Sequence, residues 1–418
     1  MQPPSDSEMT SEGFMESGFE KPSRPTSFPS FFHQLQRHTL PSTPRPRRQL
    51  ATVVSTPPTQ VSLPLWLPHL NTSQLAVVAS TPPTQVACHC GFHTSNTSQL
   101  ATVASTPPPQ SHLATVATTP NKKGISMIWW SARHPPANPE TSFSGKTILI
   151  TGANVGLGFE AVLKFAALGA TRLILGVRSL QRGEEAKAEI CRRTGYDAGN
   201  IQMYEIDMST FASVKAFAEA ISKESQLDVA ILNAGMAASS YKLSPEGYEM
   251  SLQVNVLSTA LLAILLLPPL HKSAELSGEP SHLEFVGSAG HNGVKADTFD
   301  FAGDPRILDQ VNDEAFFDVQ RQYAVTKLLL MYVMDGLVEA ISSSTSHNDS
   351  NVIIMTVCPG LCRTNLGRDF STLFKIPVGL FQLVFARSAE EGSRSIVSGT
   401  TLGREANGEF WSHDVFFR

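Results

Sequence analysis

Two stretches of this chain carry residue types at spacings suited to chemistry. The first is Tyr323-Ala324-Val325-Thr326-Lys327, where residues four apart share one helix face and the Lys327 ammonium can lie near the Tyr323 hydroxyl. A free phenol titrates at about 10 and exchanges protons poorly near neutral pH; a neighbouring cation favours phenolate and draws that value down. The second stretch runs from Thr151 to Gly158, after the apolar Ile148-Leu149-Ile150 and before Phe159–Phe165, and reads as strand, tight turn and helix start. Gly152, Gly156 and Gly158 leave no side chain between backbone and ligand, and the free N–H groups of a helix N-terminus attract a phosphate. Taken singly, each stretch also fits a blander structure, a buried Tyr above an exposed Lys or a plain strand-to-helix corner.

The elements that must position these residues begin near Ser144, where apolar strands alternate with amphipathic helices and predict a parallel sheet covered on both faces. Strands are expected at 147–150, 173–177, 203–206, 229–232, 283–286 and 352–357. Ser209 is expected to cap the helix through Val214, Phe217 and Ile221, and long helices are expected over 248–267 and 323–341. The second, third and fourth strands end in Arg178, Asp207 and Asn233-Ala234-Gly235, and open parallel sheets bind ligands at their carboxyl ends. The predicted class is α/β, a Rossmann-type doubly wound parallel sheet with helices on both faces, preceded by a disordered repeat-containing tail. The domain boundary falls between 139 and 140.

Residues 1–139 are rich in Pro, Ser, Thr and Gln, with a 25-residue repeat starting at Gln49, Gln74 and Gln99 and a shortened copy at Leu113. Each unit has one short apolar patch and a Thr-Pro-Pro breaker, too little to build a solenoid. The Cys88-His89-Cys90 and His93 group lacks metal-site spacing, so no metal is expected. Five scattered cysteines do not suggest a disulfide framework, and a cytoplasmic, reducing location is the simpler expectation. The net charge of −5 gives no sign of nucleic-acid binding, and Val254–Leu267, ended by Pro268-Pro269, is short for a membrane span.

The glycine turn at 152–158, Asn233-Ala234-Gly235, Tyr323 with Lys327, and Pro359-Gly360 followed by Thr364 stand in the order and spacing of the short-chain dehydrogenase/reductase family, which the chain resembles from Ser144 to Arg418. Arg178 and the segment Arg387–Gly392 resemble its retinol-dehydrogenase-like branch, including fungal members. Leu232 and Gly287 depart from that pattern, in which many relatives have Asn and Ser. The resemblance implies catalytic roles for Tyr323, Lys327, Ser288 and Asn255: Tyr323 as proton donor, Lys327 also on the nicotinamide ribose, Ser288 bonded to the substrate carbonyl, and Asn255 anchoring a relay water. It implies a cofactor site formed by Gly152, Asn154, Val155, Gly156, Leu157, Gly158, Arg178, Asp207, Asn233, Ala234, Gly235, Tyr323, Lys327, Pro359, Gly360 and Thr364.

An acidic residue at the end of the second strand suits NAD; Arg178 stands there instead and suits the 2′-phosphate of NADP(H). The expected activity is therefore NADPH-dependent reduction of a carbonyl, or the reverse oxidation, by a homodimer or homotetramer, in a pathway compatible with fungal specialised metabolism. The apolar segment 369–386 lies where the family's substrate lid would be, and suggests an apolar substrate, a core contact or a membrane-surface contact. An epimerase or dehydratase reading lacks the glycine spacing of that branch. A non-catalytic nucleotide-sensing or scaffold protein with a Pro-rich recruiting tail is the alternative. The resemblance to fungal members covers Phe28 to Gln34 and resumes near Pro135, which implies that the repeat block between is an insertion, expected to be dispensable for turnover.

Overall fold

The computed structural model describes residues 125–299, 306–344, 351–364 and 381–416, together with Leu366 and Gly379. The 25-residue repeats, the Cys88–His93 group and most of the expected lid lie outside them.

Helix α1, Ile125–Arg133, comes first and is followed by the alternation the hydrophobic pattern predicts: β1 Thr147–Thr151, α2 Gly156–Ala167, β2 Arg172–Val177, α3 Leu180–Thr194, β3 Ile201–Glu205, α4 Phe211–Ser222 and β4 Val229–Leu232. Then come the long helix α5, Met250–Ser277, strand β5 Ser281–Val286, α6 Ile307–Asn312, α7 Val319–Ser344, β6 Val352–Cys358, α8 Ala389–Gly399, β7 Phe410–Ser412 and β8 Val415–Phe416. The sheet order is β3-β2-β1-β4-β5-β6-β7-β8. All neighbours run parallel except β8, which turns back antiparallel to β7. β1 pairs with β2 on one side and β4 on the other, so the strand order reverses there and a crevice opens above its carboxyl end.

Alternation along β1 divides the core. Leu149 faces the layer made with α4, α5 and α7, while Ile148 and Ile150 face the layer that contains Val162, Phe165, Ile396 and Val397 of α2 and α8. Burial of both faces is what makes these strands read as unbroken apolar runs.

Several expectations need correction. The chain is folded on the N-terminal side of the boundary expected between 139 and 140, because α1 carries the buried Ser131. The cap of α4 is Thr210, whose hydroxyl accepts the Ser213 N–H; Ser209 instead donates its own N–H to Asp207. Helix α5 does not stop at Pro268-Pro269. Both prolines lie inside it, and it contains a π-helical turn at Gln253–Ser258. It is long and apolar enough to cross a bilayer, yet 72% of its most apolar window is buried within the fold, as a core helix requires. The expected range of β3 is displaced, and β7 and β8 had no expectation at all; they are too short to show a period.

Candidate active site

The carboxyl ends of β1, β4, β5 and β6 bring the expected residues to one side of the sheet. Gly152 and Gly156 adopt positive φ (66° and 60°), which lets the chain turn from β1 into α2. A Cβ on Gly158 would lie 2.5 Å from the Gly152 carbonyl oxygen and 2.6 Å from Asn233 Nδ2, so helix and turn approach as closely as glycine permits. Val155 occupies the N-cap position without a side-chain cap hydrogen bond, leaving the first N–H groups of α2 to an anion. These features fit a dinucleotide phosphate.

Asn233 braces the turn. Its Nδ2 donates to the carbonyls of Thr151 (2.9 Å) and Gly152 (3.3 Å), and the buried Thr151 hydroxyl accepts the N–H groups of Asn233 and Ala234. Its amide nitrogen is thus committed to the protein. Arg178 is exposed beyond β2 and lines an open cleft with Ser179, Gln181, Arg182 and Glu185. Asp207 is fixed by the Ser209 N–H on Oδ1 and by its own N–H donated to Ser213 Oγ. Thr364 lies opposite the turn, 4.0 Å from where a Gly156 Cβ would stand. Asn154 lies in the glycine turn, Leu157 in the first turn of α2 and Gly360 in the loop after β6.

Tyr323 and Lys327 lie on α7, one turn apart. Lys327 is buried, donates to the Val286 carbonyl (2.8 Å) and sits 5.8 Å from the Tyr323 ring centre. Its Nζ is also 3.8 Å from the position of a Gly235 Cβ, which ties it to the loop after β4. Burial lowers the Lys327 ammonium to about 8. Burial likewise pushes Tyr323 up to about 12, with the nearby Ser288 hydroxyl pulling the other way. The phenol therefore stands above its free value rather than below it: desolvation outweighs what a neighbouring cation can do.

Ser288 opens a 3-10 turn and its Oγ accepts the Gly290 N–H at 3.1 Å, leaving its own O–H proton to donate. Asn255, in the π turn of α5, accepts the Met236 N–H (2.9 Å) and donates to the Met236 carbonyl (2.8 Å) and Thr326 Oγ1 (3.1 Å). Its amide thus clamps the loop after β4 onto α7. The departure at Gly287 has a packing cause, since a Cβ there would lie 2.4 Å from the Thr356 methyl.

Three residues near the site were given no role from the sequence. Cys358 Sγ accepts the N–H groups of Ala289 (3.2 Å) and Gly360 (3.4 Å), joining the Ser288 loop to the Pro359 loop. His291 Nδ1 is 2.6 Å from the Ser288 carbonyl, which fixes the same turn. Arg387, 1% exposed, reaches the Pro359 carbonyl. Adjacency to Pro359 and Ser288 was the only available signal for the first two; Arg387 was marked only as the start of the segment 387–392 that carries the family resemblance, with no role attached.

Residues 146–278 match the short chain dehydrogenase family. The short-chain dehydrogenase/reductase ffsI of Aspergillus flavipes is 51% identical over 300 residues, covering 72% of this chain and 86% of that protein. The short-chain dehydrogenase/reductase phmF of Phaeosphaeria nodorum is 47% identical over 299 residues, covering 71% and 86%. Among solved structures, a short-chain dehydrogenase from Sphingobium yanoikuyae in complex with NADPH aligns at 21% identity and a TM-score of 0.44, over 61% of this chain and 84% of that one.

Proposed function

The chain belongs to the short-chain dehydrogenase/reductase family, an oxidoreductase family that uses nicotinamide cofactors, and from that premise we propose that it reduces the carbonyl of a small apolar substrate with NADPH. The observation that carries this reading is Tyr323 one helical turn from the buried Lys327, whose Nζ lies 5.8 Å from the Tyr323 ring centre. Support for NADPH over NADH comes from Arg178, an exposed guanidinium in the cleft beyond β2.

The glycine turn and the N-terminus of α2 would hold the phosphates, Asp207 the adenine side, and Pro359, Gly360 and Thr364 the nicotinamide side. A bound reduced nicotinamide supplies the hydride. Ser288 donates a hydrogen bond to the substrate oxygen and orients the carbonyl. Tyr323, protonated at neutral pH, gives its proton to that oxygen as the C–H bond forms, general acid work typically worth about 10² to 10⁴ in rate. The phenolate left behind is stabilised by the Lys327 ammonium and regains a proton from solvent. Asn255 and Thr326 keep the helix carrying Tyr323 in register with the loop after β4.

An apolar substrate is favoured by Phe381, Leu383 and Val384, which are 38%, 64% and 48% exposed where the segment 369–386 re-enters the described residues. We place the reaction in fungal specialised metabolism, in a reducing cytoplasmic compartment. A panel of apolar ketones and aldehydes with NADPH tests the proposal: at least one should be reduced with one NADPH oxidised per alcohol formed. NADPH binding with no turnover on any of them would point to the nucleotide-sensing alternative.

A further inference from the structure

Arg387 takes no part in the chemistry above, yet it is among the largest fully buried side chains of the protein. Among the described residues its guanidinium hydrogen-bonds neutral acceptors only: Nη2 donates to the Ser131 carbonyl (2.6 Å) and Ser131 Oγ (2.7 Å), and Nη1 makes a long contact to the Pro359 carbonyl (3.5 Å). Its backbone grips the same loop, donating N–H to the Leu361 carbonyl and accepting the Arg363 N–H, each at 2.9 Å. Gly360 lies beneath at φ 76°, where a Cβ would be 3.3 Å from Arg387 Cζ and 3.4 Å from Ser131 Oγ. Ser131 belongs to α1 and is 256 positions away from Arg387 in the chain.

Helix α1 is itself held. Ser131 Oγ is 2.5 Å from His413 Nε2, the Trp130 ring lies 6.0 Å from that of His413, and Asp414 Oδ2 accepts the Ala137 N–H at 2.9 Å. His413 and Asp414 both adopt left-handed backbone (φ 55° and 57°) in the turn between β7 and β8. Burial and the Arg387 charge lower the His413 imidazole to about 4, so the ring is neutral and free to share a proton with Ser131. Burying a guanidinium is costly, and a simple packing role would be met better by an apolar side chain. The planar fork instead fixes two chain segments relative to one another.

We infer that α1 is a positioning element of the active site: Ser131 and Arg387 are positioning residues that hold Pro359–Thr364, and through it the nicotinamide end of the cofactor. The inference rests on the dinucleotide reading above. It is tested in the full chain with Ser131→Ala and Arg387→Lys, by amide hydrogen exchange at 360–364, NADPH affinity, kcat and melting temperature. Both variants should exchange faster at these amides and bind NADPH about threefold to thirtyfold more weakly. Arg387→Lys, which keeps the charge, should be milder than Arg387→Met, and kcat at saturating NADPH should change little. A lower melting temperature with wild-type exchange and wild-type affinity would overturn the inference and leave a structural role. Should wild type bind no NADPH, the dinucleotide reading fails while exchange at 360–364 still decides whether α1 holds the loop. If an Arg387 variant does not fold, Ser131→Ala tests the same contact by the same measurements.

Discussion

At Tyr323 the surroundings raise the phenol to about 12, while at Lys327 they lower the ammonium to about 8, and both shifts follow first from burial. Their signs set opposite pH dependences for the two directions. Reduction needs the protonated phenol, present throughout, and the Lys327 cation, lost above about pH 8, so kcat/KM should be level below that pH and fall above it. Oxidation needs phenolate together with the cation, so its kcat/KM should rise about tenfold per pH unit up to about 8 and then level off. Profiles in both directions check this, and the absence of an inflection near 8 would show that Lys327 does not titrate there. Arg178 has its own test: Arg178→Ala should reduce the preference for NADPH over NADH by about tenfold to a hundredfold, as loss of a charged hydrogen bond predicts. Unchanged selectivity would assign the 2′-phosphate elsewhere in the cleft.

The ends of β2 and β4 were legible because the residues change abruptly from apolar to polar, at Val177-Arg178 and Leu232-Asn233. What lay beyond sequence reasoning was the use of those polar groups. The hydrogen bonds that commit Asn233 to the glycine turn and Asn255 to Met236 link segments 82 and 19 residues apart, and no local period encodes them. Strand β5 hides another such case. Glu284 is fully buried, neither carboxylate oxygen has a hydrogen-bond partner among the described residues, and burial holds its pKa well above the usual carboxylate range. Its folded pKa exceeds the unfolded value of about 4.3, so the native state binds the extra proton and stability falls as pH rises between the two. Glu284→Gln removes this titration. Its melting temperature relative to wild type should therefore rise from about pH 5 to about pH 8, as seen by thermal denaturation; a constant difference would mean that Glu284 is ionised or solvated in the native state.

For the molecule as a whole, the order of apolar runs sufficed to predict a doubly wound sheet, because a strand buried on both faces admits few polar residues. The C-terminal strands β7 and β8 escaped because five residues cannot establish a period, and α1 escaped because it follows a Pro-rich stretch and is held by tertiary contacts to Arg387 and His413. Helices α5 and α7 keep apolar side chains partly exposed, among them Ile264, Leu265, Leu328 and Met331, which bears on the homodimer or homotetramer that the family resemblance implies. Light scattering at micromolar concentration should give at least twice the mass of one chain; a single-chain mass would contradict that assembly.

The central claim is that Tyr323 supplies the proton during NADPH-dependent carbonyl reduction. The most direct test is kcat for wild type and Tyr323→Phe on whichever ketone or aldehyde proves reactive, with folding checked by melting temperature. A fall of about 10² to 10⁴ in a folded variant that still binds NADPH is the predicted result. A Tyr323→Phe protein that reduces the same substrate at the wild-type rate would contradict it.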